Sequence, residues 1–285
     1  MMKRSSCGAK AVAILAVLAP AVAAAQPAGA PPAGAKYVAM GSSYAAGPGI
    51  TTSADTPPNR CTRSRDNYAH QIARRHGLTL VDVSCGGATT EHILGPWREL
   101  KPQIDAVDAD TRLVTVTIGG NDVRYTGGLS SNACQTLAQT TLDAHCGDLA
   151  LPPTDAEWAG LEQRMNRIAA EVHTRAPGAR LVFVDYPTVL PPTGTCAALS
   201  LTPAQAAAFR EINRRVVEIT ARTARQGGAD LVTSSVITAD HHACSAAPWS
   251  NGYPSAGQPI VGAAFHPRLE AHTAMADALE KLIWR

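Results

Sequence analysis

Aromatic residues make up only 5% of this chain, and no dense run of Lys and Arg occurs anywhere in it. The first scarcity argues against a stacking platform for glycans, and the second against docking on an anionic membrane or a nucleic-acid backbone. No C-x-x-C pair is present, so the usual ligand spacing of a structural zinc site is missing. No segment repeats itself along the chain. The longest apolar run, residues 11–22, is too short to span a bilayer as a helix.

That apolar run follows Lys3, Arg4 and Lys10 and ends in Ala23-Ala24-Ala25, the pattern of a cleaved secretory signal over residues 1–25. Cys7 precedes the run, unlike a lipid-modified cysteine, so no stable membrane anchor is expected. Residues 26–35, rich in Pro, Ala and Gly, read as a flexible linker, and residues 36–285 as one domain with long loops. Without the leader the chain carries 22 basic against 23 acidic residues, near neutrality, and no nucleic-acid partner is expected. Six cysteines remain: Cys61, Cys85, Cys134, Cys146, Cys196 and Cys244. An even set in an exported protein favours three disulfides; of fifteen possible connectivities, pairing of sequence neighbours is the simplest.

Five short β-rich runs, at 37–40, 78–83, 113–118, 181–185 and 231–234, alternate with helical patterns. Asn67 is placed to cap a helix that Gly77 ends. Trp158, Leu161, Met165, Ile168 and Val172 form a core-facing stripe on a helix over 155–175. Thr202 with Pro203 opens another helix, and Pro267 is expected to start the last, with Leu269, Met275, Leu279 and Leu282 docking on the sheet. The segment holding Cys134 and Cys146 reads as a loop. This alternation predicts an α/β fold: a three-layer α/β/α sandwich around a five-stranded parallel sheet, with ligands beyond the carboxyl ends of the strands.

Three turns lie at those ends. Val38-Ala39-Met40 runs into Gly41-Ser42-Ser43, presenting Ser43 at a sharp turn closed by Gly47. The second strand runs into Gly86-Gly87, where the missing side chains let backbone N–H groups approach a ligand. The third ends in Gly119-Gly120-Asn121-Asp122. A serine hydroxyl is a weak nucleophile and needs a base and an anion-stabilising site. The N–H groups of Ser43 and Gly87 and the Asn121 amide are candidates for an oxyanion hole, each such donor being worth about 3 kcal/mol of barrier. His266, expected near the N-cap of the last helix, is the candidate base, because a helix N-terminus disfavours imidazolium. His242 and His272 are its competitors.

Gly41-Ser42-Ser43 with Gly47, Gly87, Gly119-Gly120-Asn121-Asp122, and Phe265-His266-Pro267 together resemble the four blocks of the SGNH or GDSL hydrolases, in the family's order from Tyr37 onward. The resemblance is to the secreted, three-disulfide bacterial lipases and esterases of that family, whose disulfides join sequence neighbours. It implies metal-free hydrolysis of carboxylic esters through an acyl-serine; no cofactor, a preference for short or medium acyl chains and a monomer are expected beside it. Two positions depart from the pattern. Ser42 replaces the aspartate beside the nucleophile. Ala263 stands where D-x-x-H would put an acid, so a Ser43–His266 dyad is expected, with the carbonyl of Ala263 or a neighbour orienting the ring. Asp185 or Asp240 against that ring would restore a triad.

Each residue also has a plainer reading. Ser43 and Gly87 are ordinary turn residues, Asn121 an Asx-turn former and His266 a capping histidine. Asp122 reads as structural, bonding loop amides. Trp249 and Tyr253 either line an acyl pocket or pack their loop. An α/β-hydrolase is excluded, since Ala45 breaks G-x-S-x-G and the serine follows the first strand. The non-enzymatic rival is an exported carbohydrate- or lipid-binding protein with an inactive site.

Overall fold

The computed structural model describes residue 2 and residues 29–138, 146, 148–149, 151–254 and 262–285. The expected leader lies, apart from Met2, outside the described residues. Among those described, no helix is long and apolar enough to cross a membrane. Five strands, β1 (Lys36–Gly41), β2 (Thr79–Asp82), β3 (Thr111–Thr117), β4 (Arg180–Val184) and β5 (Asp230–Val232), form one sheet. Its order is β2-β1-β3-β4-β5 and every pairing is parallel. The strands are near-continuous apolar runs because both faces are covered.

The helices are α1 (Ser43–Ala46), α2 (Tyr68–His76), α3 (Thr90–Leu94), α4 (Tyr125–Ala138), α5 (Asp155–Arg175), α6 (Pro203–Gln226), α7 (Ser234–Ile237) and α8 (Leu269–Trp284). Asn67 caps α2 by accepting the His70 N–H at 3.0 Å, and Gly77 ends it in a left-handed conformation. Capping boxes open α5 (Thr154 with Glu157) and α6 (Thr202 with Gln205). The stripe of Trp158, Leu161, Met165, Ile168 and Val172 is buried on one face of the sheet, with Phe209, Val216 and Ile219 of α6. On the other face α2 and α8 pack Ile72, Met275, Ala276 and Leu279 against Tyr37, Leu113 and Val182.

Three expectations change. Residues 125–138, read as loop, are helix α4. Its Gly127, Gly128 and serines give a weak helical signal, but burial of Tyr125, Leu129 and Ala133 supplies what propensity does not. The last helix starts at Leu269 with Arg268 at its N-cap, two residues later than Pro267 suggests. Leu269 is accordingly exposed, and of the four residues expected to dock only Met275, Leu279 and Leu282 do. The Pro/Ala/Gly segment is anchored at its end: Pro31 is buried and the Gly34 N–H bonds the Gly77 carbonyl at 2.8 Å.

The three disulfides are Cys61–Cys85, Cys134–Cys146 and Cys196–Cys244. The first ties the loop after α1 to the turn after β2, and the third ties the segments following β4 and α7.

The register of β1 on β3 opposes Gly41 to Thr117. The turns carrying Ser43 and Asn121 therefore leave the sheet side by side, at the point where the strand order reverses and ligands bind in open α/β sheets. Leu161, fully buried, supports this edge from below: a side chain at Gly119 would meet its Cδ1 at 3.1 Å. Leu161→Ala is expected to cost about 2–5 kcal/mol, read as a lower urea midpoint with an unchanged m-value.

Candidate active site

The turn that presents Ser43 is built around Gly41. Its φ is +146°, and a Cβ there would lie 2.4 Å from the Thr117 carbonyl oxygen. The Gln103 side chain clamps the Gly41 backbone, its Oε1 accepting the N–H at 2.7 Å and its Nε2 donating to the carbonyl at 3.0 Å. That carbonyl also accepts the Cys85 N–H at 3.0 Å, so the end of β1 holds the turn after β2. Ser42 is fully buried; its hydroxyl lies 3.1 Å from the Tyr186 hydroxyl, which accepts the Gly120 N–H at 2.9 Å. Ser42, in the place of the family aspartate, thus links the first turn to the third.

His266 Nε2 lies 2.7 Å from Ser43 Oγ. The other ring nitrogen, Nδ1, is 2.6 Å from the Ala264 carbonyl oxygen. A carbonyl only accepts, so Nδ1 carries the proton and Nε2 is the acceptor for the serine hydroxyl. Both residues are 8% exposed. Burial lowers the His266 pKa to about 4, opposed in part by the Ala264 hydrogen bond. Desolvation, not the helix N-terminus expected from Pro267, keeps the ring neutral. The orienting carbonyl is that of Ala264; the Ala263 oxygen instead accepts from Asn251 Nδ2 at 3.0 Å.

No carboxylate contacts the ring among the described residues. Asp185 is buried and held by the Ser235 N–H at 2.7 Å, the Ser235 hydroxyl at 2.8 Å and the Ser234 hydroxyl at 2.9 Å. Asp240 is exposed. The competing histidines are engaged elsewhere: His242 Nδ1 accepts the Cys244 N–H, and His272 Nδ1 the Tyr68 N–H.

The second turn separates two glycines that the sequence could not. The Gly86 N–H bonds the Cys61 carbonyl at 3.0 Å. Gly87 is left-handed (φ +84°), and its N–H, like that of Ser43, meets no acceptor among the described residues. Asn121 Nδ2 donates to the Ala88 carbonyl at 2.9 Å, which fixes the amide beside that turn and, among the described residues, leaves its second N–H uncommitted. Asp122 is structural, accepting from the Thr90 N–H and hydroxyl and from Arg164. Asn121 also lines a cleft of about 690 Å³ with Arg124, Gly128, Ser131, Leu151 and Glu157. Trp249 stacks on His241 at 3.6 Å, and Tyr253 packs beside Phe265 at 5.9 Å. No group of three or more His, Cys, Asp or Glu among the described residues is arranged to hold a metal ion.

Sequence reasoning missed Gln103, Tyr44, Tyr186 and Asn251, all of which hold the site together. Only Tyr44, next to Ser43, adjoins a motif; Gln103 and Asn251 lie in ordinary polar stretches and Tyr186 just past a strand, and none of these positions names a partner.

An α/β/α sandwich with a serine and a histidine in contact beyond its strand ends defines a class of hydrolases. Residues 39–274 match the GDSL-like lipase/acylhydrolase family, and the chain belongs to that family of carboxylic ester hydrolases. It is 35% identical to Lipase 2 of Streptomyces coelicolor over 217 residues, 74% of this chain and 73% of the relative. The structure of an extracellular lipase from Streptomyces rimosus superposes with a TM-score of 0.67 at 26% identity, covering 87% of this chain and 99% of that one. A phospholipase A1 from Streptomyces albidoflavus shares the fold, with a TM-score of 0.69, 23% identity and the same coverage.

Besides His266, one other histidine among the described residues is buried and neutral: His272, whose pKa desolvation lowers to about 3. Both take up a proton near pH 6.5 when unfolded and only near pH 4 and 3 when folded. Their neutral burial therefore favours the fold fully above about pH 6.5, and that advantage is lost as pH falls toward the folded values. Urea unfolding from pH 7 to pH 5 is expected to show stability declining with acidity, the slope from each histidine approaching about 1.4 kcal/mol per pH unit only well below about pH 6.5. A flat profile contradicts this.

Proposed function

We propose that this enzyme is a secreted, monomeric esterase or lipase of domain 36–285 that works through an acyl-serine on Ser43, with His266 as its base and no carboxylate. The observation that carries the reading is the 2.7 Å contact of His266 Nε2 with Ser43 Oγ, combined with Nδ1 bonded to the Ala264 carbonyl. Ser43 Oγ attacks the ester carbonyl carbon while its proton passes to Nε2. The oxygen that becomes negative is held by the Ser43 and Gly87 N–H groups and the free N–H of Asn121. As the C–O bond breaks, His266 returns the proton to the departing alcohol; water, activated by the same nitrogen, then frees the acid. Burial weakens the base in the resting site, and the negative charge developing beside it restores proton affinity in the transition state.

Acyl esters of short to medium chain are the substrate class, consistent with relatives named lipase and esterase. Export is supported by the basic, apolar and small-residue order of residues 1–25, by three disulfides, and by the extracellular relative.

On p-nitrophenyl butyrate, Ser43→Ala is expected to lower kcat at least about 10³-fold; equal rates in the two proteins would leave only a binding role. Mass mapping after a serine-reactive phosphonate should place the adduct on the peptide containing residues 41–47. The kcat/KM profile is expected to be flat above about pH 5 and to fall to half near pH 4, where His266 takes up its proton. An acid limb near pH 6.5 would mean that the working base is not desolvated.

A further inference from the structure

The residue after the nucleophile is bonded to the residue before the base. Tyr44, fully buried, donates its hydroxyl to the Phe265 carbonyl. Phe265 is one of few non-glycine residues with positive φ, at 55°. This left-handed turn is what allows an imidazole to reach the carbonyl only two residues behind it: the chain must reverse at Phe265 for Ala264 O to face Nδ1 of His266. An extended Phe265 would carry that carbonyl away from the ring. Strained conformations persist only where the surroundings over-determine them. Here the Phe265 N–H bonds the Gly252 carbonyl at 3.2 Å, the Asn251 N–H bonds the His266 carbonyl at 2.9 Å, and Tyr44 closes the remaining side.

The Tyr44 ring packs 5.0 Å from the imidazole and 4.6 Å from the Tyr186 ring, so the hydroxyl is delivered by a rigidly seated side chain. Burial raises the phenol pKa well above 10, so the hydroxyl remains a donor at every working pH.

Resting on the acyl-serine reading above, we propose that Tyr44 is a positioning residue: its hydroxyl holds the left-handed turn at Phe265 and thereby fixes the tautomer and aim of His266 toward Ser43. The ionisable groups around the imidazole are Tyr44 and, through space, His272 of α8. Tyr44 stays neutral across the acid limb near pH 4, and His272, lowered to about 3, takes up its proton only below that limb, so the limb reports His266 and its own hydrogen bonds.

The test is Tyr44→Phe in the full chain, which removes one oxygen and keeps both ring contacts. With p-nitrophenyl butyrate, kcat is expected to fall about tenfold while KM stays within about twofold. The acid limb of kcat/KM moves to lower pH, because the Ala264 bond that raises the His266 pKa is weakened. NMR titration of the His266 ring nitrogens should shift in the same direction. A role in stability alone would lower the thermal midpoint and leave rate, limb and titration at wild-type values, and that result overturns the proposal. Failure of the underlying reading is distinct: Ser43→Ala would then retain turnover whatever Tyr44→Phe does.

Discussion

The backbone of Gly41 is the junction from which the site is built. Its φ and the Thr117 carbonyl beside it exclude any side chain. Its N–H and C=O are both taken by Gln103, and its carbonyl also receives Cys85. One peptide therefore sets the direction of the Ser43 turn, the height of the Gly86-Gly87 turn and, through the pairing with Thr117, the exit of the chain toward Asn121. Buried backbone groups must be paired, and here the partners are the neighbouring turns themselves. The oxyanion candidates are held in mutual register by the same bonds that satisfy the strand end.

The histidine arrives differently, on an irregular loop rather than a strand end. Its position depends on a short hydrogen-bonded lattice: Asn251 on Ala263 and His266, Arg268 on Asn251 at 2.8 Å, and Tyr44 on Phe265. A carbonyl replaces a carboxylate as partner of Nδ1, which fixes the tautomer without placing a full negative charge beside a desolvated ring. The consequence is an imidazole of low proton affinity, set by burial. Buried carboxylates near the strand ends, among them Asp122 and Asp185, are instead used to bind loops together.

Much of the fold could be read from residue patterns. The alternation of β-branched runs with capped helices fixed five strands within two residues of their observed limits, and the Trp158-to-Val172 stripe is the face that α5 buries. Helix α4 is not legible in the sequence because its glycines and serines have weak helical preference, and only the core that receives Tyr125 and Leu129 makes it a helix. The start of α8 is not legible because Pro267 fits the first turn of a helix, whereas the structure uses it in the bridge between Ser250 and Pro267. The blocks around Ser43, Gly87 and Asn121 are legible because each is a short pattern at a strand end, and the one around His266 because a histidine directly precedes a proline ahead of the last helix.

The sequence by itself determined the α/β class, the order of the four blocks and the absence of an acid three residues before His266, since these are properties of local pattern and composition. Only the tertiary structure decided which of two adjacent glycines leaves its N–H open, which carbonyl meets Nδ1, and that burial keeps the imidazole neutral. Those depend on groups far apart in the chain: Cys61 beside Gly86, Tyr44 beside Phe265, and the enclosed contact of residues 43 and 266. Hydrogen-bond pairing and desolvation are functions of distance in space, and no local pattern encodes that distance.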